Sequence, residues 1–281
     1  MEWLRSFWQK VKKPLEILII TVVCLLVIAL VVVIVRAYIF KVNVPGLSGK
    51  NLWDWLQLLI IPAVLAIGGY VFNFTTSRNE QKATQLRAQT ERDIAFDNQR
   101  EAALQDYIDS ISELLLHEKL RESGQIDEVR TLARVRTLNV LSRLDGRRKG
   151  IVVQFLHESG LIYEEVKIID LSQADLTGAD LGFAYLRGAS LSKTNLHGAD
   201  LSDAYLHEAH LHEAHLRAAN LSRTDLSGAD LSYANLNFAR LIGADLSGAN
   251  LTHVANITNE ELEKEAFSLA GATMPDGTKH D

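Results

Sequence analysis

Along residues 171–251 the apolar positions follow a period of five. Leucine occupies every fifth position from Leu171 to Leu251, seventeen in all, and Ala stands two residues before fourteen of them. The exceptions are Ile169, Thr194 and Thr224. In a helix a five-residue step lands about 140° from the previous side chain, so these leucines would scatter around the axis. A strand alternates faces, so an odd step would put successive leucines on opposite sides. The period fits a backbone that turns one corner per repeat with every Leu aimed at a common axis. Fixed-period self-similarity of this kind predicts a solenoid. Glycines recur in the two variable slots after Leu (Gly178, Gly188, Gly198, Gly228, Gly243, Gly248), as tight corners require.

Upstream the pattern changes twice. Residues 17–35 carry no charge, and residues 55–74 form a second apolar run interrupted by Gln57, Pro62 and Gly68-Gly69. At 1.5 Å per residue each reaches about 30 Å, so both are predicted to span a bilayer. Tyr38, Phe40, Trp53, Trp55, Tyr70, Phe72 and Phe74 flank them as an interfacial belt. The basic flanks place residues 1–16 and everything after residue 74 on the cytoplasmic side, with 36–54 as a short external loop. Residues 75–120 lack Pro and Gly and predict a long exposed helix. Its late stripe, Leu104, Ile108, Ile111 and Leu115, suits packing on its own domain or a self-associating coiled coil. A helical subdomain is predicted over 121–165. One helix there offers Val129, Leu132, Val135, Leu138 and Leu141 as its apolar face; another runs from about Gly150 to Ser159.

The repeat reads Ala-Asp/Asn-Leu-x-x, as in Ala174-Asp175-Leu176 and Ala249-Asn250-Leu251. It resembles the pentapeptide-repeat family. The resemblance implies a right-handed quadrilateral β-helix over 166–256, four pentapeptides to the coil, with Leu and the preceding small residue inward. Residues 102–161 resemble a helical region found before the repeats in bacterial membrane proteins. The Leu269–Gly277 tail resembles common endings of the family, and 257–281 is expected to cap the solenoid. There Thr258-x-x-Glu261 is a capping box, and Leu262 and Phe267 offer apolar contacts. The expected fold is thus α+β in several parts: two transmembrane helices, a helical stalk with its subdomain, the β-helix and a helical cap.

Net charge is −6 and names no partner. Cys24 is alone, so no intramolecular disulfide exists. No phosphate loop or Cys-x-x-Cys occurs, and no catalytic constellation, metal site or cofactor is expected. The run from His207 to His215 differs from H-E-x-x-H by one residue, and all its histidines fall in outward slots. Arg130, Arg134, Arg143, Arg147, Arg148 and Lys149 form a candidate patch for anionic lipid headgroups. Pairing with Glu118, Glu122 and Glu128 is the alternative.

The outward register leaves three large apolar groups on one coil, Tyr233, Phe238 and Ile242, and stacks Tyr185 beneath Tyr205. These five are the candidate protein-contact residues. A C-terminal lid over the first three is the preferred competing expectation. The chain is therefore expected to be a non-enzymatic scaffold in the cytoplasmic membrane, with the bilayer and a protein client as partners and self-association as an option. Two alternatives remain. One is an oligomeric pore formed by the spans. The other is a DNA mimic that binds topoisomerases, although nine acidic against five basic outward residues make a poor phosphate rod. Nucleic acid is not an expected partner, since no recognition-fold signature is present.

Overall fold

The computed structural model describes residues 52–124, 127–162 and 167–281, with Val32, Val35 and Arg36 as isolated positions. Nearly all of the predicted first span, residues 17–35, and of the 36–54 loop lies outside the described residues. The chain divides into two units, Met1–Ala88 and Gln89–Asp281.

In the first unit the described chain is one helix. Helix α1, Leu52–Leu116, begins here and runs without interruption into the second unit, with Pro62 inside it. The second predicted span and the exposed helix after it are therefore one element. Ile61, Val64, Leu65, Ile67 and Phe72 are more than half exposed, and a Cβ on Gly68 or Gly69 would meet nothing within 4 Å. A window of mean hydropathy 1.4 within Ile60–Leu116 is long and apolar enough to cross a membrane.

The second unit opens with a helical subdomain. The end of α1 packs against α2, Glu128–Leu141, and α3, Gly146–Glu158. The late stripe of α1 is used within the chain: Leu104, Tyr107, Ile111 and Leu114 are buried, with Ile108 and Leu115 packed beside them. Tyr107 meets Phe155 edge-on at 6.3 Å between centroids. Its hydroxyl lies 2.8 Å from Thr137 Oγ1, which donates to the Ala133 carbonyl. Burial raises the Tyr107 pKa well beyond the usual range, with the Thr137 hydrogen bond opposing.

The predicted face of α2 holds at Val129, Leu138 and Leu141, which pack into the core, and is corrected at its other two positions. Leu132 and Val135 are exposed, while Ala133, Thr137, Val140 and Leu141 are buried. Two small residues hold the contact side because helices approach closely there, which hydrophobicity alone does not reveal.

Beyond residue 167 the backbone coils. From Leu176 to Leu236 each Leu N–H donates to the carbonyl nineteen residues ahead, as in Leu176 N–H to Asn195 O at 2.9 Å; Leu241 donates to the Glu265 carboxylate instead, and Leu246 and Leu251 donate to carbonyls twenty-two ahead. The return bond runs from Asn195 N–H to Ala174 O, and bridged residues stand twenty apart, Asp175 with Asn195 and onward. A twenty-residue coil made of five-residue steps has four sides. Each corner is a turn closed by a bond such as Ala179 N–H to Leu176 O, with the third residue at positive φ, +61° at Gly178. All seventeen leucines are buried on the axis. The two threonines in the small slot are fully buried and satisfied: Thr194 donates to Leu171 O at 3.0 Å and Thr224 to Leu201 O at 2.7 Å.

The two ends are closed differently. At the start, α3 lies against the first coil through two glycines four residues apart. A Cβ on Gly146 would stand 1.9 Å from Gly178 O, and one on Gly150 2.1 Å from Asp180 O. The Asp180 N–H donates to Gly146 O at 2.9 Å, so a helix carbonyl replaces the missing lower rung. At the far end the ladder continues through α4, Asn259–Glu265, whose capping box is formed by Thr258 and Glu261. The bridge offset grows from twenty to twenty-three, Asp245 with Ser268 and Asn250 with Thr273. Leu269, Ala272 and Met274 reach the axis, and Leu262 is buried on α4. Phe267 falls in the slot above Ala244, is too large for it, and stands 79% exposed; its expected apolar contact is not made.

Candidate interaction surfaces

The basic run has a structural occupation. Arg134 donates to the carbonyls of Asp170 at 3.0 Å and Ser172 at 2.9 Å. Lys149, almost wholly buried, donates to Thr177 O at 3.2 Å and pairs with Asp175 at 3.3 Å. Arg130 donates to Ser123 O at 2.8 Å and approaches Lys167 O. The carbonyls of the first coil point into empty ladder positions, and cationic donors fill them. Arg148 ties α3 to α1 through Asp97 and Glu101, each at 2.9 Å, and to Asp145. Those three carboxylates raise the Arg148 pKa, Glu101 first. Four of the six candidate lipid-facing cations are thus held by protein acceptors, and none of these contacts is to Glu118, Glu122 or Glu128. Arg143 and Arg147 remain exposed.

Two carboxylates in this joint are held below the usual range. For Asp175, burial pushes up, but hydrogen bonds from Thr177 and the charge of Lys149 outweigh it. For Asp145, the N-cap of α3, burial is likewise outweighed by the Arg148 amide and guanidinium.

The predicted aromatic candidates fall into two arrangements. Tyr185 and Tyr205 stack as expected, 4.7 Å between centroids and 6° between planes, and are 56% and 43% exposed. Phe183 extends this patch, two residues before Tyr185 and 66% exposed. It was identifiable by register as an outward aromatic beside Tyr185. His157 on α3 stacks on Tyr185 at 5.3 Å, a contact that only the docked helix creates.

Tyr233, Phe238 and Ile242 are exposed at 54%, 74% and 55%, so the C-terminal segment closes the end of the solenoid and leaves them uncovered. They occupy three consecutive turns of the coil, closed at Ala234, Ala239 and Ala244, and so lie on successive sides. They girdle the solenoid and form no single patch. Tyr233 contacts His253 at 4.8 Å and His212 edge-on at 5.6 Å, while Arg217 lies 5.8 Å from the Phe238 ring.

The histidine run is outward. His207 and His212 hydrogen-bond through Nδ1 to Ser227 and Ser232 on the next coil at 2.8 and 2.9 Å. Among the described residues no group of three ligating side chains converges on a metal position. Asp203 and Arg223, twenty apart, form a two-bond ion pair at 2.7 and 2.6 Å, which lowers the Asp203 pKa.

The repeat is found in known proteins. The description "Pentapeptide repeats" matches in eight copies over residues 169–207 and 209–248. No curated protein matches the chain. Among solved structures, a pentapeptide repeat protein from the Arabidopsis thaliana thylakoid lumen is 29% identical, over 39% of this chain and 83% of that one, with a TM-score of 0.28. A pentapeptide repeat protein from the cyanobacterium Cyanothece is 38% identical over 27% and 55% of the two chains, TM-score 0.18. HetL, involved in heterocyst differentiation regulation in the cyanobacterium Nostoc, is 32% identical over 40% and 66%, TM-score 0.17. With TM-scores this low, the fold rests on the ladder itself.

Proposed function

We propose, on the premise that this chain carries pentapeptide repeats over residues 169–248, that it is a membrane-anchored scaffold whose solenoid binds a protein client. The carrying observation is the contrast between inside and outside. The axis is filled by leucine and alanine, while Phe183, Tyr185, Tyr205, Tyr233, Phe238 and Ile242 stand 43–74% exposed in outward slots. Outward slots do not fill the core, and large apolar groups held there on a rigid support are suited to protein contact. The apolar window of α1 supports the anchor. Cytoplasmic placement of the solenoid belongs to the proposal and follows the basic flanks.

The test is recovery of a client from native membranes by proximity labelling with the full chain. A partner whose labelling falls when Tyr205 and Tyr233 are replaced by Ser supports the reading. A chain that extracts with carbonate, or that labels nothing more than a membrane control does, removes it.

A further inference from the structure

A cleft of about 520 Å³ lies between α3 and the first coil, lined by Gln154, His157, Glu158, Asp180, Phe183 and Tyr185 among others. Three features meet at its solenoid wall.

The first is Asp180. Eleven Asp or Asn residues occupy the position before Leu between Asp170 and Asn250. Ten of them accept a hydrogen bond from the N–H two residues ahead, which braces the corner. Asp180 is the exception, and its carboxylate makes no hydrogen bond or ion pair among the described residues. The second is Tyr185, which together with Tyr205 replaces that bracing residue by a ring unable to form the bond. The third is Phe183. It shares its φ of +60° with many non-glycine residues in the third position of these turns, so the conformation is ordinary for the solenoid; what is distinctive is a large ring facing solvent beside Asp180 and Tyr185. A carboxylate left out of the corner brace that ten others make, beside a solvent-facing ring, marks a position kept for something other than folding.

The chemistry of the corner is specific. An unpartnered carboxylate stands beside an open aromatic ring and a stacked tyrosine pair. Glu158, which accepts a hydrogen bond from Gln154 at 2.8 Å, adds a second negative charge on the opposite wall. Arg147 is the one formal cation in the lining. A guanidinium suits this site better than an ammonium. It can pair with Asp180 in a two-bond fork while its plane lies over an aromatic ring.

We infer that the cleft between α3 and the first coil receives an arginine side chain of the client protein, held by Asp180 and by the open Phe183 ring, with the edge of the stacked Tyr185 as a wall. This rests on the scaffold reading and gives the client its chemistry. The opposite girdle of Tyr233 and Phe238 has no free carboxylate of this kind and is not part of the site.

The experiment uses the full chain in detergent micelles. The probes are the blocked tripeptide acetyl-Gly-Arg-Gly-amide and its citrulline counterpart, which keeps the shape and loses the charge. Saturation-transfer NMR reads binding. The arginine peptide is expected to bind at least about tenfold more tightly than the citrulline peptide. Asp180→Asn is expected to erase that preference, and Phe238→Ala to leave it intact. Phe183→Gly relieves the left-handed turn, so it is expected to raise the melting temperature while weakening binding. Equal binding of the two peptides, no binding of either, or an Asp180→Asn protein that still prefers arginine would overturn the inference. A client that labels the Asp180→Asn chain as strongly as the original also overturns it and leaves the scaffold standing. Loss of all client labelling in the original chain strikes the scaffold itself.

Discussion

The two ends of the solenoid face the same physical problem and answer it with different materials. A coil with no neighbour exposes a row of unpaired N–H and C=O groups. At the start, separate helices lie across the opening, and the contact is made by backbone, two glycines and two cations. At the far end the coil closes itself. It inserts a short helix, lengthens the repeat by three residues and resumes pairing at Ser268. The first solution depends on a few side chains at exact distances. The second depends on the same ladder that holds the middle, so it tolerates local change better.

The largest expected effect breaks both ends at once by removing what lies between them. Leu211 is fully buried on the axis. Leu211→Asp places an unpaired charge among hydrocarbon, at an expected cost of about 4 kcal/mol or more. Loss of the solenoid should appear as collapse of far-ultraviolet circular dichroism and of amide protection across residues 171–255. An unchanged melt would contradict the inward register.

Next comes a change confined to the start. In Gly150→Val the new Cβ meets the Asp180 carbonyl at 2.1 Å, and backbone cannot retreat as a flexible side chain does. An expected cost of about 3 kcal/mol follows. Hydrogen exchange should accelerate at Asp180 and its neighbours and not at Ser268–Met274. The contrasting change is Gly271→Ala, where no atom lies within 4 Å and only the φ of +68° opposes a side chain; its cost should be about 1 kcal/mol. If the two glycines respond equally, the start is not the end built on close approach.

How much of this was legible beforehand differs between the same regions. The periodic middle was readable to the residue, because every Leu meets the same environment and a register fixes all of them together. Even Tyr185 under Tyr205 followed from counting twenty. The helical start was readable only as helices. The face of α2 was right at Val129, Leu138 and Leu141 and wrong at its edge, where Ala133 and Thr137, not the larger Leu132 and Val135, make the contact. The cations of the basic run looked like a solvated or lipid-facing surface, since sequence does not show that carbonyls await them. The corner at Asp180 was half visible. Tyr185 stood out, while the idle carboxylate could be recognised only when ten relatives were seen in use.

A smaller effect tests the ionic part of the start. Lys149→Met removes the donor to Thr177 O and the partner of Asp175, at an expected cost of about 2 kcal/mol. The pH dependence carries the same information. The folded-state pKa of Asp175 is depressed, so its contribution is complete above the ordinary carboxylate range, near pH 4. It fades as pH falls through the lower folded value. Acidification below about pH 4 should therefore loosen the joint between α3 and the first coil, and Asp175→Asn should flatten that loss. A joint that keeps its full stability in acid would contradict the pairing.

The smallest effect belongs to the far end. Thr258 accepts from the Glu261 N–H at 3.2 Å while the Glu261 carboxylate accepts from the Thr258 N–H at 2.9 Å. Thr258→Ala removes one half of this box, for about 1 kcal/mol. What makes the substitution informative is where that energy is felt. Leu262 anchors α4 to the core, and the pairing of Ser268 and Thr273 with the last full coil does not pass through Thr258. Fraying should stay within α4, read as faster exchange at Glu261 and Leu262 with Ser268–Met274 still protected. If instead the whole terminal rung opens, the short helix is the clamp that holds the rung in place. The far end would then resemble the start, a lid fastened by a few contacts, and the ladder alone would not suffice to close a solenoid of this length.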